Sequence, residues 1–328
     1  MKELPLYFHP TEIVLVDDDV TYAKNLEIMM LNKGIPSRIF NDPKKAMEFL
    51  KNKPIPKLSD KIAYVEDESL EKTILNIDLN PLHQEIYNQN RFNEISTVIV
   101  DYAMPGLNGK EFFEQIKHIP VEKILLTGEE SYETAVKMFN EGGLIDRFFR
   151  KSDENLFAKL FSEVADLKVH FFQSLSRPVL SALQKKSTLL PFNDPAFIQS
   201  FLEITQQNEI VEYYVLDEGG SYLLVNKAGA PMLLIVKSEE DMKMLYELAE
   251  GEKNVSKNIL ADLKNKKKLV YFLTEKDSYA PVNSWPLYDA KRLAGGAQTY
   301  YYALAKNAFE PEVQIYSYQQ FLEHLGQA

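Results

Sequence analysis

The first half of the chain alternates short, uninterrupted apolar runs with segments whose apolar residues recur every three or four positions. Residues 13–16 (Ile-Val-Leu-Val) form the first run, followed by three aspartates and a helical pattern over 23–31. Fully apolar runs of this length are typical of parallel strands covered on both faces. A second strand over 37–40 leads into Asp42 and Pro43, a cap and a first-turn proline for a helix over 44–50. Strands over 97–100, 123–126 and 146–149 alternate with helices over 110–118 and 131–140. The order predicts an α/β fold, a doubly wound five-stranded parallel sheet with helices on both faces.

The second half has a different rhythm. A helix over 155–176 carries Leu156, Leu160, Val164, Leu167, Phe171 and Leu175 as one stripe, and Pro178 stops it. That stripe suits a connector between domains, a pairing surface between two copies, or packing on the chain's own second half. Asn193-Asp194-Pro195 starts a helix reaching 207. Three strands follow over 211–216, 221–226 and 231–236, joined by glycine-containing links that indicate an antiparallel meander. A capping box from Ser238 to Asp241 opens a helix over 240–249, and another helix spans 255–264. Strands over 269–274 and 299–305, a loop over 275–297 with the sole tryptophan, Trp285, and a helix over 318–325 complete an α+β pattern around an antiparallel sheet of about five strands. Two domains result, 1–167 and 168–328. The interval from Asp17 to Asp101 holds roughly 40 residues more than a compact β-α-β-α-β unit needs, so an insertion with one or two short helices is placed at 53–95. Its acidic stretch contains Glu66, Asp67, Glu68 and Glu71.

Composition narrows the function classes. The chain has 37 basic and 48 acidic residues, a net charge of −11. Residues 1–167 hold 20 and 29 of these and carry most of the excess. Neither half has the basic surplus that accompanies DNA binding. The basic run Lys264, Lys266, Lys267 and Lys268 ends a helix, where cations suit the dipole. No cysteine is present, which excludes disulfides and thiolate metal sites and favours a cytoplasmic location. No apolar run is long enough for a membrane span, and the first ten residues do not read as a secretory signal.

In an open parallel sheet, ligands bind beyond the carboxyl ends of the strands. Here those ends carry Asp17-Asp18-Asp19, Asp101, Thr127 and Lys151. Asp19 alone reads as a helix cap. Clustered carboxylates repel unless a cation sits among them, and hard oxygen ligands with open water positions suit Mg²⁺. A carboxylate is a weak nucleophile toward phosphorus, and a divalent ion with a lysine removes the repulsion between the two.

The stretches Ile13-Val14-Leu15-Val16-Asp17-Asp18-Asp19, Val100-Asp101-Tyr102-Ala103-Met104-Pro105-Gly106-Leu107-Asn108-Gly109, Leu125-Leu126-Thr127-Gly128 and Phe148-Phe149-Arg150-Lys151 together resemble the receiver domain of two-component response regulators. The resemblance covers about residues 10–167. It implies that Asp101 is the phosphoacceptor, with Asp17, Asp18, Asp101 and the backbone carbonyl of Ala103 holding Mg²⁺ or Mn²⁺. Thr127 would hydrogen-bond the phosphoryl group, Lys151 would pair with its charge, and Thr127 with Phe148 would form the switch. The implied partner is a sensor histidine kinase or phosphotransfer protein, with a second copy of the chain as a candidate on phosphorylation; the composition argues against a membrane and against nucleic acid. The layout also resembles response regulators with an uncharacterised output domain, some of which serve quorum sensing.

Two positions depart from the family pattern: Ser152 stands where a proline usually follows the lysine, and Phe148 where a tyrosine or histidine is common. The second half has no P-loop, dinucleotide fingerprint, metal-spaced histidine cluster or nucleophile elbow. The leading expectation is a phosphorylation switch rather than an enzyme. The alternatives are a receiver controlling an output domain that binds or processes a nucleotide or other small ligand, and an atypical DNA-binding regulator. A haloacid-dehalogenase-type phosphatase needs a second acid two residues after its nucleophile, and Ala103 occupies that position.

Overall fold

The computed structural model describes residues 2–54, 58, 63–67, 74–128, 132–140, 143–184, 190–293 and 296–327. Glu68 and Glu71 of the expected acidic stretch lie outside them. Contacts divide the chain into two compact units, each assembled from three stretches of sequence. The contiguous division at 167 expected from the sequence therefore differs from the contact-based one.

One unit comprises residues 9–61, 88–175 and 316–328. Its five parallel strands lie in the order Ser37–Phe40, Glu12–Val16, Ile95–Asp101, Glu122–Thr127, Arg147–Arg150. Successive residues of the central strands point to opposite faces. Val14, Val16, Val98, Val100 and Leu125 meet Ala46, Leu50, Phe112, Phe113 and Met138 on one side. Ile13, Leu15, Ile99, Ile124 and Leu126 meet Leu26, Met30, Leu156, Leu160 and Val164 on the other. Two buried layers explain why the stretches 13–16, 98–100 and 124–126 of the central strands are apolar rather than alternating.

The helix expected to end before Pro178 runs from Leu156 to Gln184 with the proline inside it. Val179 and Leu180, just beyond, are buried, and that burial offsets the missing backbone hydrogen bond. Pro178→Ala should therefore raise the stability of the chain by about 2 kcal/mol, read from the urea midpoint. An unchanged or lowered midpoint would mean that the helix needs the proline's geometry at this point.

The final helix, Tyr318–Gln327, belongs to this unit rather than to the second half. The Tyr318 hydroxyl donates to the Gly34 carbonyl at 2.6 Å, and the rings of Tyr318 and Phe321 pack on Phe92. Arg91, fully buried, donates to the Tyr316 carbonyl at 2.7 Å.

The other unit comprises residues 1–8, 62–87 and 176–315. Its sheet has six antiparallel strands, ordered Tyr7–Phe8, Ile210–Val215, Tyr222–Asn226, Pro231–Ser238, Tyr300–Ala305, Lys291–Leu293. Both edge strands are too short to give a periodic signal. The strand expected at 269–274 is only Lys268–Val270 and pairs outside this sheet with Leu287–Asp289, within the expected loop. The insertion carries a hairpin, Ala63–Asp67 with Ile74–Asp78, where short helices alone were expected. Tyr213, Tyr214, Tyr222 and Tyr300 are buried, and Tyr213 and Tyr222 pack against Phe201, so these four tyrosines belong to the core of the unit. Within the basic run, Lys266 pairs with Glu239, and Lys268 with Asp289 at 2.9 Å.

Candidate functional site

The site lies at the carboxyl edge of the parallel sheet. Asp17 follows strand Glu12–Val16, and its backbone N–H donates to the Phe40 carbonyl at 3.1 Å, which ties it to the neighbouring strand. Its side chain is nearly buried; Oδ1 accepts from the Asp19 N–H at 3.0 Å and leaves Oδ2 to face Lys151. Asp19 turns away and caps helix Val20–Leu31 by accepting from the backbone of Thr21 and Tyr22. Asp18 is exposed, yet one of its oxygens, with one each from Asp17 and Asp101, forms a group whose members lie within 4.8 Å of one another.

Asp101 is the last residue of strand Ile95–Asp101 and is 5 % exposed. Oδ2 accepts from the Ala103 N–H at 3.1 Å, which fixes the carboxylate plane and begins the turn toward helix Gly109–Gln115. Asn108 caps that helix in a reciprocal box with Glu111. Two glycines make the connection for different reasons. Gly106 has φ +77°, a conformation costly for any residue with a Cβ. Gly109 lies so close to the Asp101 carbonyl that an added Cβ would sit 2.8 Å from it.

Lys151 follows the fifth strand, and its backbone N–H donates to the Thr127 carbonyl at 2.9 Å. Its ammonium reaches Asp17 Oδ2 at 2.8 Å and Asp101 Oδ1 at 2.9 Å, so one cation spans two buried carboxylates. Burial pulls its pKa down, but the hydrogen bonds and charges of Asp17 and Asp101 outweigh that and hold it above the ordinary lysine value. Burial raises the Asp17 carboxyl above its ordinary value despite the opposing pull of Lys151. Tyr22, which sequence reasoning missed, lies beneath Lys151, with the ammonium 4.5 Å from its ring centroid. Its position three residues after the capping Asp19 is the only signal the sequence carries for it.

The Thr127 hydroxyl, fully buried, donates to the Gly128 carbonyl at 3.1 Å; among the described residues it makes no hydrogen bond to Asp101. Phe148 is half-buried, edge-on to Tyr132 and Phe139 at 5.6 and 5.8 Å. The Arg150 guanidinium stacks over Tyr132 at 3.7 Å. The structure thus brings Asp17, Asp18, Asp101 and Lys151 into one cluster, with Thr127 on the adjacent strand end and Phe148 on the outer strand.

The donor set consists of hard oxygens from three carboxylates, and among the described residues two of these, Asp17 and Asp101, pair with the Lys151 ammonium. The excess negative charge and the oxygen-only chemistry fit a small divalent cation such as Mg²⁺. Among the described residues no helix is long and apolar enough to cross a membrane.

No protein-family model matches the chain, and no curated protein matches it. Solved structures do. The Legionella pneumophila response regulator LqsR is 32% identical, with the match covering 98% of this chain and 96% of LqsR at a TM-score of 0.79. A response regulator receiver protein from Pseudomonas putida is 16% identical over 48% of this chain and 97% of its own length, with a TM-score of 0.33. A Francisella response regulator receiver domain matches at 16% identity over 48% of this chain and 96% of its own, also at 0.33. Identity at the level of LqsR, sustained along almost the whole of both chains, means that this chain belongs to the response regulators.

Proposed function

We propose that the chain is the receiving partner in a phosphorelay, taking a phosphoryl group on Asp101 from a sensor histidine kinase or phosphotransfer protein. The observation that carries this reading is the Lys151 ammonium bonded to both Asp101 and Asp17, beside Asp18. An Asp101 carboxylate oxygen attacks phosphorus as the bond from phosphorus to the donor breaks, and the donor keeps the electron pair. The product is an acyl phosphate on Asp101. No proton has to leave Asp101, so the chain supplies placement and charge rather than a general base.

Asp17, Asp18 and Asp101 with the carbonyl of Ala103 would hold Mg²⁺ or Mn²⁺, which when bound neutralises charge on the phosphoryl oxygens. Lys151 pairs with a phosphoryl oxygen in place of the Asp101 carboxylate. Thr127 exchanges its hydrogen bond to Gly128 for one to the phosphoryl group. Its movement opens space toward Phe148, a half-buried ring edge-on to Tyr132 and Phe139. The added charge thereby alters the face formed by Tyr132, Phe148 and Arg150, and through it the output of the chain or its pairing with a second copy. On this reading the chain turns over nothing except its own phosphoryl group.

The test is to incubate the whole chain with Mg²⁺ and acetyl phosphate and follow its intact mass. One phosphoryl group should be gained by the wild type and none by Asp101→Asn. A wild type that stays unlabelled, or a label that persists in the variant, overturns the assignment.

A further inference from the structure

The second unit carries a cleft of about 540 Å³, a size usual for small-molecule sites. One wall is helix Glu239–Glu250, which turns Met244 and Leu248, one helical turn apart, into the opening. They remain 61 % and 58 % exposed, an unusual state for two neighbouring large apolar side chains. The floor is Val270 and Phe272. Among the apolar groups stand four polar ones, Lys237, Asp241, Glu247 and Tyr271, with the Lys237 ammonium 5.3 Å from the Tyr271 ring centroid.

The charges in the cleft are not matched. Asp241 is occupied in the helix cap, accepting from the Ser238 N–H and hydroxyl at 2.8 and 2.7 Å. Glu247 pairs with Lys243 at 3.6 Å. Lys237 has neither an ion pair nor a hydrogen bond among the described residues, and the Tyr271 hydroxyl likewise has no hydrogen bond there. Burial, with a smaller contribution from Asp217, holds the Tyr271 phenol well above its usual range, so it stays protonated and able to donate. Two donor-bearing side chains without a hydrogen-bond partner among the described residues, one of them cationic, therefore line the same largely apolar cleft.

We propose that this cleft binds a small amphiphile, an apolar chain of roughly ten heavy atoms ending in a single anionic group. The chain lies between Leu248 and Phe272, and the anion accepts from Lys237 and Tyr271. Such a site would give the second unit a chemical input of its own, separate from Asp101.

Decanoate is the probe, with decanol lacking the charge and acetate lacking the chain. Trp285, the only tryptophan, packs edge-on to Phe272 at 5.4 Å and should report occupancy by its fluorescence. With the full chain, decanoate should give a saturable change, confirmed by calorimetry. Decanol should bind about tenfold more weakly, the difference expected for one charged hydrogen bond, and acetate should not bind. Lys237→Gln should reduce decanoate to the level of decanol. Leu248→Glu, and independently Met244→Glu, should abolish binding while leaving the circular dichroism spectrum unchanged, because both side chains are exposed. Asp101→Asn should bind like the wild type. No saturable signal with decanoate, equal affinity for decanol, or undiminished binding by folded forms of both helix variants would each overturn the proposal. Loss of self-association in Leu248→Glu without any binding of decanoate would do so too, by identifying a protein-docking face instead.

Discussion

Lys151→Met is expected to destabilise the chain by about 2–3 kcal/mol at neutral pH in the absence of divalent cations, and to abolish phosphoryl uptake. Removing one partner of a buried ionic cluster leaves the others uncompensated, and here two carboxylates share the one ammonium. The Lys151 side chain keeps 26 % of its exposure, so the loss falls below that of a fully buried pair. The pH dependence separates this cause from lost packing. The Asp17 carboxyl already titrates above its ordinary value because burial disfavours its charge. An acid raised in this way gives stability that is complete below the ordinary carboxylate value and declines as pH rises through the raised one. Without Lys151 the pull that opposes burial is gone, so the raised value rises further and the decline is larger. Lys151, itself raised, contributes fully throughout the neutral range and fades only above the ordinary lysine value. The gap between variant and wild type in urea unfolding should therefore be wide at neutral pH and close in acid, as pH falls through the raised Asp17 value. Mg²⁺ should narrow it at neutral pH by supplying charge to the same oxygens. A deficit of equal size at both pH values would mean that the Lys151 stem, lying over Tyr22, stabilises by packing alone.

The parallel sheet was legible because its strands are buried on both faces. That requirement writes unbroken apolar runs into 13–16, 98–100 and 124–126, and the polar residue ending each run marks the edge where a site can form. The clustering of Asp17 and Asp101 follows from strand order, since the strands bearing them are neighbours, whereas Lys151 follows the edge strand and joins them only through its long side chain. What was not legible depends on long-range pairing. Tyr7–Phe8 is too short to show a period, and only its pairing with Tyr213 and Tyr214 makes it a strand. Tyr316 and Tyr318 give no local indication that they return to Gly34, Arg91 and Phe92. Pro178 misled because a local rule, the missing N–H, was overridden by burial of the two residues after it. Phe148 shows the same limit at the site: its place in the strand was readable, but its ring contacts with Tyr132 and Phe139 were not.

Gly109→Ala opposes two local rules whose signs differ, and the close approach should win. At an exposed helical position, alanine in place of glycine stabilises by roughly 0.5–1 kcal/mol. At Gly109 the new Cβ would lie 2.7 Å from Leu125 Cδ1, 2.8 Å from the Asp101 carbonyl oxygen and 3.1 Å from Tyr102 Cα. The leucine methyl can rotate away, but the two backbone atoms belong to the end of the strand that presents Asp101. Relief requires moving the first turn of the helix off the strand, against the bond from the Gly109 N–H to the Tyr102 carbonyl at 3.0 Å. Overpacking of this kind costs about 1–3 kcal/mol, so net destabilisation is expected. The displacement also reaches the nucleophile, and a shift approaching 1 Å in a reacting group can slow a reaction by about 10²-fold. Phosphoryl uptake from acetyl phosphate should slow by tenfold or more on that scale. Gly106→Ala provides the contrast: its Cβ would meet open space, so the cost is confined to the positive φ, about 1–2 kcal/mol, with uptake near the wild-type rate. If Gly109→Ala matched the wild type in both unfolding midpoint and labelling rate, the strand end would have to be pliant, and the position of Asp101 could not depend on the helix packed against it.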